Sequence, residues 1–180
     1  MRRFFGGINL LLILGTVGFA VWAWPQLPSQ IPTHFGIDGQ PDAWSDRGWT
    51  SWFLLPGVAL LLIAFIGFFR AMIPRRPDWV NLPDRTKLSE LPEMARGPVV
   101  EMFSGFLALV QTELLLIFGL IQWATYKTAI GRESQGIMIT VLILAILMSP
   151  ILMVVFFLRL QPALDRGREL ARRAEAGQAG

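Results

Sequence analysis

Four long stretches almost free of charge restrict what this chain can become. Nothing ionisable lies between Arg3 and Trp24 or between Arg47 and Arg70; Glu101 to Lys127 encloses only Glu113, and Ser134 to Leu158 encloses nothing charged. A helix needs roughly 20 apolar residues to cross a hydrocarbon core about 30 Å thick, and each stretch is long enough. Lipid gives backbone amides no hydrogen-bond partner, so such segments must be helices, and the alternating pattern of a barrel strand is missing. The expected fold is an all-α integral membrane protein with four transmembrane helices, over about 4–24, 52–70, 102–126 and 136–158. These form a single membrane domain across 1–180. Only 16% of residues are charged, against roughly 25% in soluble domains, which agrees with a lipid solvent.

The basic residues give a sidedness. Of sixteen Lys and Arg, thirteen lie at the start, between the second and third spans, or after the fourth. Arg47, Lys127 and Arg132 lie in the other two connections. The positive-inside rule then predicts both termini and the 70–101 loop in the cytoplasm, and a short extracytoplasmic cap between helices 1 and 2. Arg2 and Arg3 before an apolar run, with Val21-Trp22-Ala23, have the outline of a cleavable signal. The bulky Trp22 and Trp24 suit an interfacial belt better, as do Trp44, Trp49 and Trp52.

Inside the spans, polar residues are the informative ones. At 100° per residue Ser104, Gln111 and Gln122 fall within about 20° of one another, with Thr125 nearby, and should turn one polar stripe toward the bundle. Such bonds hold helices together at about 0.6 kcal/mol each. Glu113 points away from that stripe, and an acid at this depth marks either a structural hydrogen bond or an ion, proton or ligand site. Asn9, Thr16 or Thr140, or a second subunit, are its expected partners. In a conduit, Glu113→Gln should spare membrane insertion and impair transport. Pro56 reads as a helix starter near Leu55, and Pro150 as a bend that leaves the Ile146 carbonyl without its helical partner.

On the cytoplasmic side, Leu88, Leu91, Ala95, Val99 and Met102 recur at three- and four-residue steps, with a break expected at Gly97-Pro98. In the amphipathic tail, 159–180, Leu160, Ala163, Leu164, Gly167, Leu170, Ala171 and Ala174 form a second weak apolar face beside Arg166, Arg168, Arg172 and Arg173. The first face is expected to lie on the membrane or to dock a partner, the second to lie on anionic lipid or form a merely solvated tail, and Gly177 to Gly180 to be disordered.

The stretch Leu27 to Trp44 is the most distinctive. Ile31 to Phe35 should run extended, Asp38-Gly39 is a turn signal, and Gln40 to Trp44 should fold back beside the first strand. Leu27, Pro28, Ile31, Pro32, His34, Phe35, Gly39, Asp42 and Trp44 match the pattern LP-x-x-IP-x-HF-x-x-x-G-x-x-D-x-W. By that motif the chain closely resembles the bacterial membrane family called domain of unknown function 1648, over about residues 8–70. The resemblance implies kinship with the amino-terminal module of SdpI-like immunity proteins, which protect a producing cell from its own secreted toxin and relay its presence inward. Read alone, His34 with Asp38, Asp42 and Asp46 also allows a metal ligand set or an external pH sensor, though one imidazole among loop carboxylates is a weak donor set.

Zero cysteines exclude disulfides, thiolate zinc, iron-sulfur ligation and covalent haem attachment, and one histidine excludes an HExxH metalloprotease. No phosphate loop, dinucleotide fingerprint or nucleophile elbow is present. The expectation is a non-enzyme without cofactor or metal. Its partners would be the bilayer, an extracellular peptide or toxin, a cytoplasmic regulator and further copies of itself, but not nucleic acid. The competing expectation is a small permease or channel-like component built on Glu113, Gln111 and Gln122.

Overall fold

The computed structural model describes residues 2–83, 85 and 87–178. Four helices carry the fold: α1 (Arg2–Ala23), α2 (Trp49–Met72), α3 (Glu93–Ala129) and α4 (Gln135–Gln178). All four are long and apolar enough to cross a membrane. Two short strands, β1 (Gln30–Phe35) and β2 (Pro41–Asp46), pair antiparallel between α1 and α2. The hairpin is an addition to an otherwise helical protein, so all-α holds for the spans and not for the connection between them.

Two of the helices are longer than the spans predicted for them. At 1.5 Å per residue α3 is about 56 Å long and α4 about 66 Å, so both run well past a hydrocarbon core of about 30 Å. The break expected at Gly97-Pro98 is absent, because α3 continues through Pro98. A proline inside a helix removes one amide and leaves one carbonyl unpaired, here that of Met94, an exposed residue. Pro56 is likewise no helix starter, since α2 begins seven residues earlier at Trp49. The carbonyl that Pro56 frees is that of Trp52, and the Gln122 amide on α3 donates to it at 3.3 Å. A helix defect and a helix contact are thus one feature. Of the residues Gly177 to Gly180 expected to be disordered, Gly177 and Gln178 continue α4, while Ala179 and Gly180 lie outside the described residues.

Interhelical polar contacts hold the bundle along its length. Ser104, Gln111, Gln122 and Thr125 are all buried. Gln111 donates to the Ile63 carbonyl of α2 at 2.9 Å and accepts from Arg70. Asn9 of α1 donates to the Ala108 carbonyl at 3.2 Å and accepts from Thr112 at 2.7 Å. Trp52, expected in an interfacial belt, is instead 1% exposed. Its indole N–H donates at 2.9 Å to the Ala20 carbonyl, one of the last four of α1, where helical partners run out. Burial of a tryptophan needs such an acceptor, and the end of α1 supplies it.

At the end away from the hairpin, the two amphipathic faces meet each other rather than lipid. Leu88 and Val99 are fully buried with Leu160, Ala163 and Leu164 in one cluster that also takes in Ile73, Val80 and Leu82. Gly167 sits directly on the Ala95 backbone, so close that a Cβ there would lie 2.3 Å from the Ala95 carbonyl oxygen. Only glycine permits this approach. Trp79 flanks the cluster half-exposed, with the Arg76 guanidinium 4.9 Å from its ring centroid. Arg76 also pairs with Asp78 through two hydrogen bonds, at 3.0 and 3.1 Å.

Candidate functional site

The hairpin is built as the sequence predicts, and its residues divide into two sets. Leu27, Ile31, Pro32 and Gly39 are buried. Leu27 and Ile31 pack with Ala23 and Trp52, against Phe19 and Tyr126. The backbone of Arg47 bonds to the Ser29 carbonyl at 2.7 Å, and its guanidinium reaches the Leu27 carbonyl at 2.6 Å while lying over Trp24. These contacts close the base of the hairpin onto the helices.

The turn is fixed by local chemistry. Asp38 Oδ1 accepts from the Gln40 amide at 3.0 Å, Gly39 adopts φ +77°, and the Gly36 amide bonds to the Gln40 carbonyl at 2.8 Å. Asparagine-like side-chain bonding to the backbone two residues on is the reason Asp favours turns. The turn also docks onto the first residues of α4: the Gln135 amide donates to the Asp38 carbonyl at 3.0 Å. A Cβ on Gly39 would meet the Gln135 carbonyl oxygen at 3.1 Å.

The second set faces outward. Pro28, His34, Asp42 and Trp44 are exposed, Phe35 is half-buried, and Ile37 at the tip is 92% exposed. His34 Nδ1 and Asp42 Oδ1 lie 2.5 Å apart across the strands, with both side chains more than half exposed. Register shifts on either side of His34 allow this pairing. Asp38 is occupied with its turn, and the backbone carbonyl of Asp46 accepts from the Ser51 hydroxyl at 2.9 Å. Of the four side chains considered as a ligand set, His34 and Asp42 pair with each other and Asp38 holds the turn. Among the described residues no three His, Cys, Asp or Glu are grouped to hold a metal ion.

The intramembrane candidates do not come together. Gln111 and Gln122 face α2 and spend their amides on helix contacts. Glu113 faces α4 and accepts from the Ser149 hydroxyl at 2.8 Å, not from Asn9, Thr16 or Thr140. Asn9 is taken up by α3, and Thr140 donates to the Gly136 carbonyl. Ser149 went unnoticed in the sequence, although a serine next to Pro150 in a long apolar run is the only polar group in that neighbourhood of α4. Gln135 and Arg47, which moor the hairpin, were also missed, since neither belongs to the motif.

Comparison with known proteins matches residues 11–60 to the family model described as domain of unknown function (DUF1648). That segment holds every motif residue, the hairpin, most of α1 and the first half of α2, and the resemblance read from the motif stands. A protein of Archaeoglobus fulgidus described as uncharacterized is 35% identical over 85 residues, covering 41% of this chain and 44% of the relative. The chain thus spans less than half the length of that relative. No solved structure matches. Glu113, Ser149 and the α3–α4 pair lie outside the family segment.

Proposed function

We propose that this is a non-enzymatic protein of the cell membrane, with both termini cytoplasmic, that binds an extracellular factor on the outer face of the hairpin. SdpI-like protection against a secreted peptide toxin is the specific form of that activity suggested by the family resemblance. One observation carries the reading: the motif divides into a buried half that moors the hairpin and an exposed half, including His34, Asp42 and Trp44, which with the neighbouring tip residue Ile37 makes no part of the core. Exposed apolar and aromatic groups on a rigid support are what a binding surface needs.

The same arrangement gives a route inward. Asp38 and Gly39 rest on the start of α4, and the far part of that single helix packs on Leu88, Val99 and the loop around Val80. A factor that shifts the turn acts on one end of a rod whose other end shapes the proposed cytoplasmic surface, where a regulator would read it. The permease reading loses support, because Glu113 and the two glutamines occupy different helix faces.

The test is a binding and tolerance assay with secreted peptide toxins, using the protein in cells and in nanodiscs. Ile37→Ala and the pair His34→Ala with Asp42→Ala should lose binding and tolerance with unchanged melting behaviour. Glu113→Gln should retain both. Full tolerance in the hairpin variants alongside loss in Glu113→Gln would reverse the assignment.

A further inference from the structure

Midway along the membrane-spanning part of the bundle, α4 is little covered by its neighbours. Every residue from Ala145 to Ile151 is exposed, in the segment that contains Pro150. Between α3 and α4 at this level lies a cleft of about 100 Å³, walled by Leu109, Leu116, Ile117, Leu144 and Leu152, with Thr112 and Glu113 as its polar lining groups. Leu116 and Met148 on its rim are 44% and 37% exposed, so the cleft opens sideways onto the surface that lipid covers. Ser149 satisfies Oε1 of the carboxyl, and Oε2 has no partner among the described residues. No Lys or Arg lines the cleft.

The geometry points to a binding site at Glu113 for a membrane-dissolved amine: a small protonated amine head on a single apolar chain. A carboxyl in an apolar enclosure is complemented by a cationic N–H donor, and such charge-assisted bonds are among the strongest hydrogen bonds available to it. A hard metal ion is a poor occupant, since Ca2+ takes about six to eight oxygens and the carboxylate has only the Thr112 and Ser149 hydroxyls beside it. The space beside the carboxyl is small, about 100 Å³, which favours a compact head group. The chain of the ligand would leave past Leu116 and Met148 into the bilayer. This site is independent of the hairpin and of any ligand bound there.

Hydrophobic carbodiimide labelling tests it. The protein is placed one copy per nanodisc in phosphatidylcholine and treated with N,N'-dicyclohexylcarbodiimide. The carboxyl O–H adds across one C=N bond of the reagent, the proton passing to nitrogen, and the acyl group then shifts from oxygen to the other nitrogen. Nothing leaves, so the N-acylurea on Glu113 carries the full mass of the reagent and is mapped by mass spectrometry. N,N-dimethyldodecylamine, which cannot itself form an amide, should slow labelling about tenfold near ten times its dissociation constant. Uncharged dodecanol should leave the rate unchanged. Leu144→Trp, which fills the cleft, should suppress labelling without lowering the melting temperature. The proposal is overturned by an unreactive Glu113, by equal protection from dodecanol, or by no protection from the amine. Labelling that falls when two copies share a nanodisc would assign the cleft to a second copy instead.

Discussion

Replacing Gly167 with alanine separates two views of the far end of the bundle, in which the tail either lies on lipid or packs on α3. In the structure the new Cβ would sit 2.3 Å from the Ala95 carbonyl oxygen, 3.0 Å from its carbon and 3.1 Å from its Cα. Carbon-to-oxygen contacts between helices run about 3.3–3.6 Å, so α3 and α4 must part by about 1 Å. The obstacle is backbone and cannot rotate away. Overpacking of this kind costs about 1–3 kcal/mol, while alanine in place of glycine favours a helix by about 1 kcal/mol. The two effects oppose each other, and the net result should be a loss of up to about 2 kcal/mol, concentrated where the helices cross. Gly105→Ala is the matched control, because a Cβ there meets nothing within 4 Å and only the helix-propensity gain applies. Hydrogen exchange in detergent, read by mass spectrometry on peptides from 88–99 and 160–171, should accelerate in Gly167→Ala and not in Gly105→Ala. Spin labels at the exposed Met94 and Leu170 should report a wider separation in the first variant alone. If Gly167→Ala matches the control in exchange and distance, the packing described for this end is wrong.

Two further outcomes follow from local geometry. Gly39→Ala forces an L side chain into φ +77° and against the Gln135 carbonyl; with about 1–2 kcal/mol of backbone strain, amides of 36–42 should exchange faster, and unchanged exchange would refute the docking of the turn on α4. Asp78 is held below the ordinary carboxylate range, first by its hydrogen bond from Arg76. The contribution of that exposed pair is therefore complete above the unfolded carboxylate value and is lost as pH falls through the depressed one. Carbon-detected NMR should find Asp78 titrating low in the native chain and higher in Arg76→Ala; equal midpoints would contradict the pairing.

Much of the fold is legible because lipid is an unforgiving solvent. Runs of 20 apolar residues have one solution in a bilayer, and Gln111 and Gln122 at matching helical angles had to face protein. Asp38-Gly39 marks the turn with equal economy, since backbone chemistry within four residues determines it. What escaped the sequence depends on distant partners. Pro98 and Pro56 look like helix ends until the unpaired carbonyls are placed, one exposed and the other met by Gln122. Periodicity showed that Leu88, Val99, Leu160 and Leu164 need cover, but the same pattern serves lipid and protein equally. Trp52 reads as a belt residue because nothing local announces the Ala20 carbonyl. The candidate site behaved the same way: motif residues could be named, whereas the moorings Arg47 and Gln135 and the Glu113 partner Ser149 emerge only from the packed chain.

The most direct measurement is the sidedness of the hairpin. The protein has no cysteine, so single cysteines introduced at Ile37, on the hairpin tip, and at Arg85, in the connection between α2 and α3, can be probed with a membrane-impermeant maleimide. In intact cells Ile37→Cys should label and Arg85→Cys should not, and both should label once the membrane is opened. Labelling of Arg85→Cys in intact cells, with Ile37→Cys protected, would place the displayed face in the cytoplasm and contradict the account.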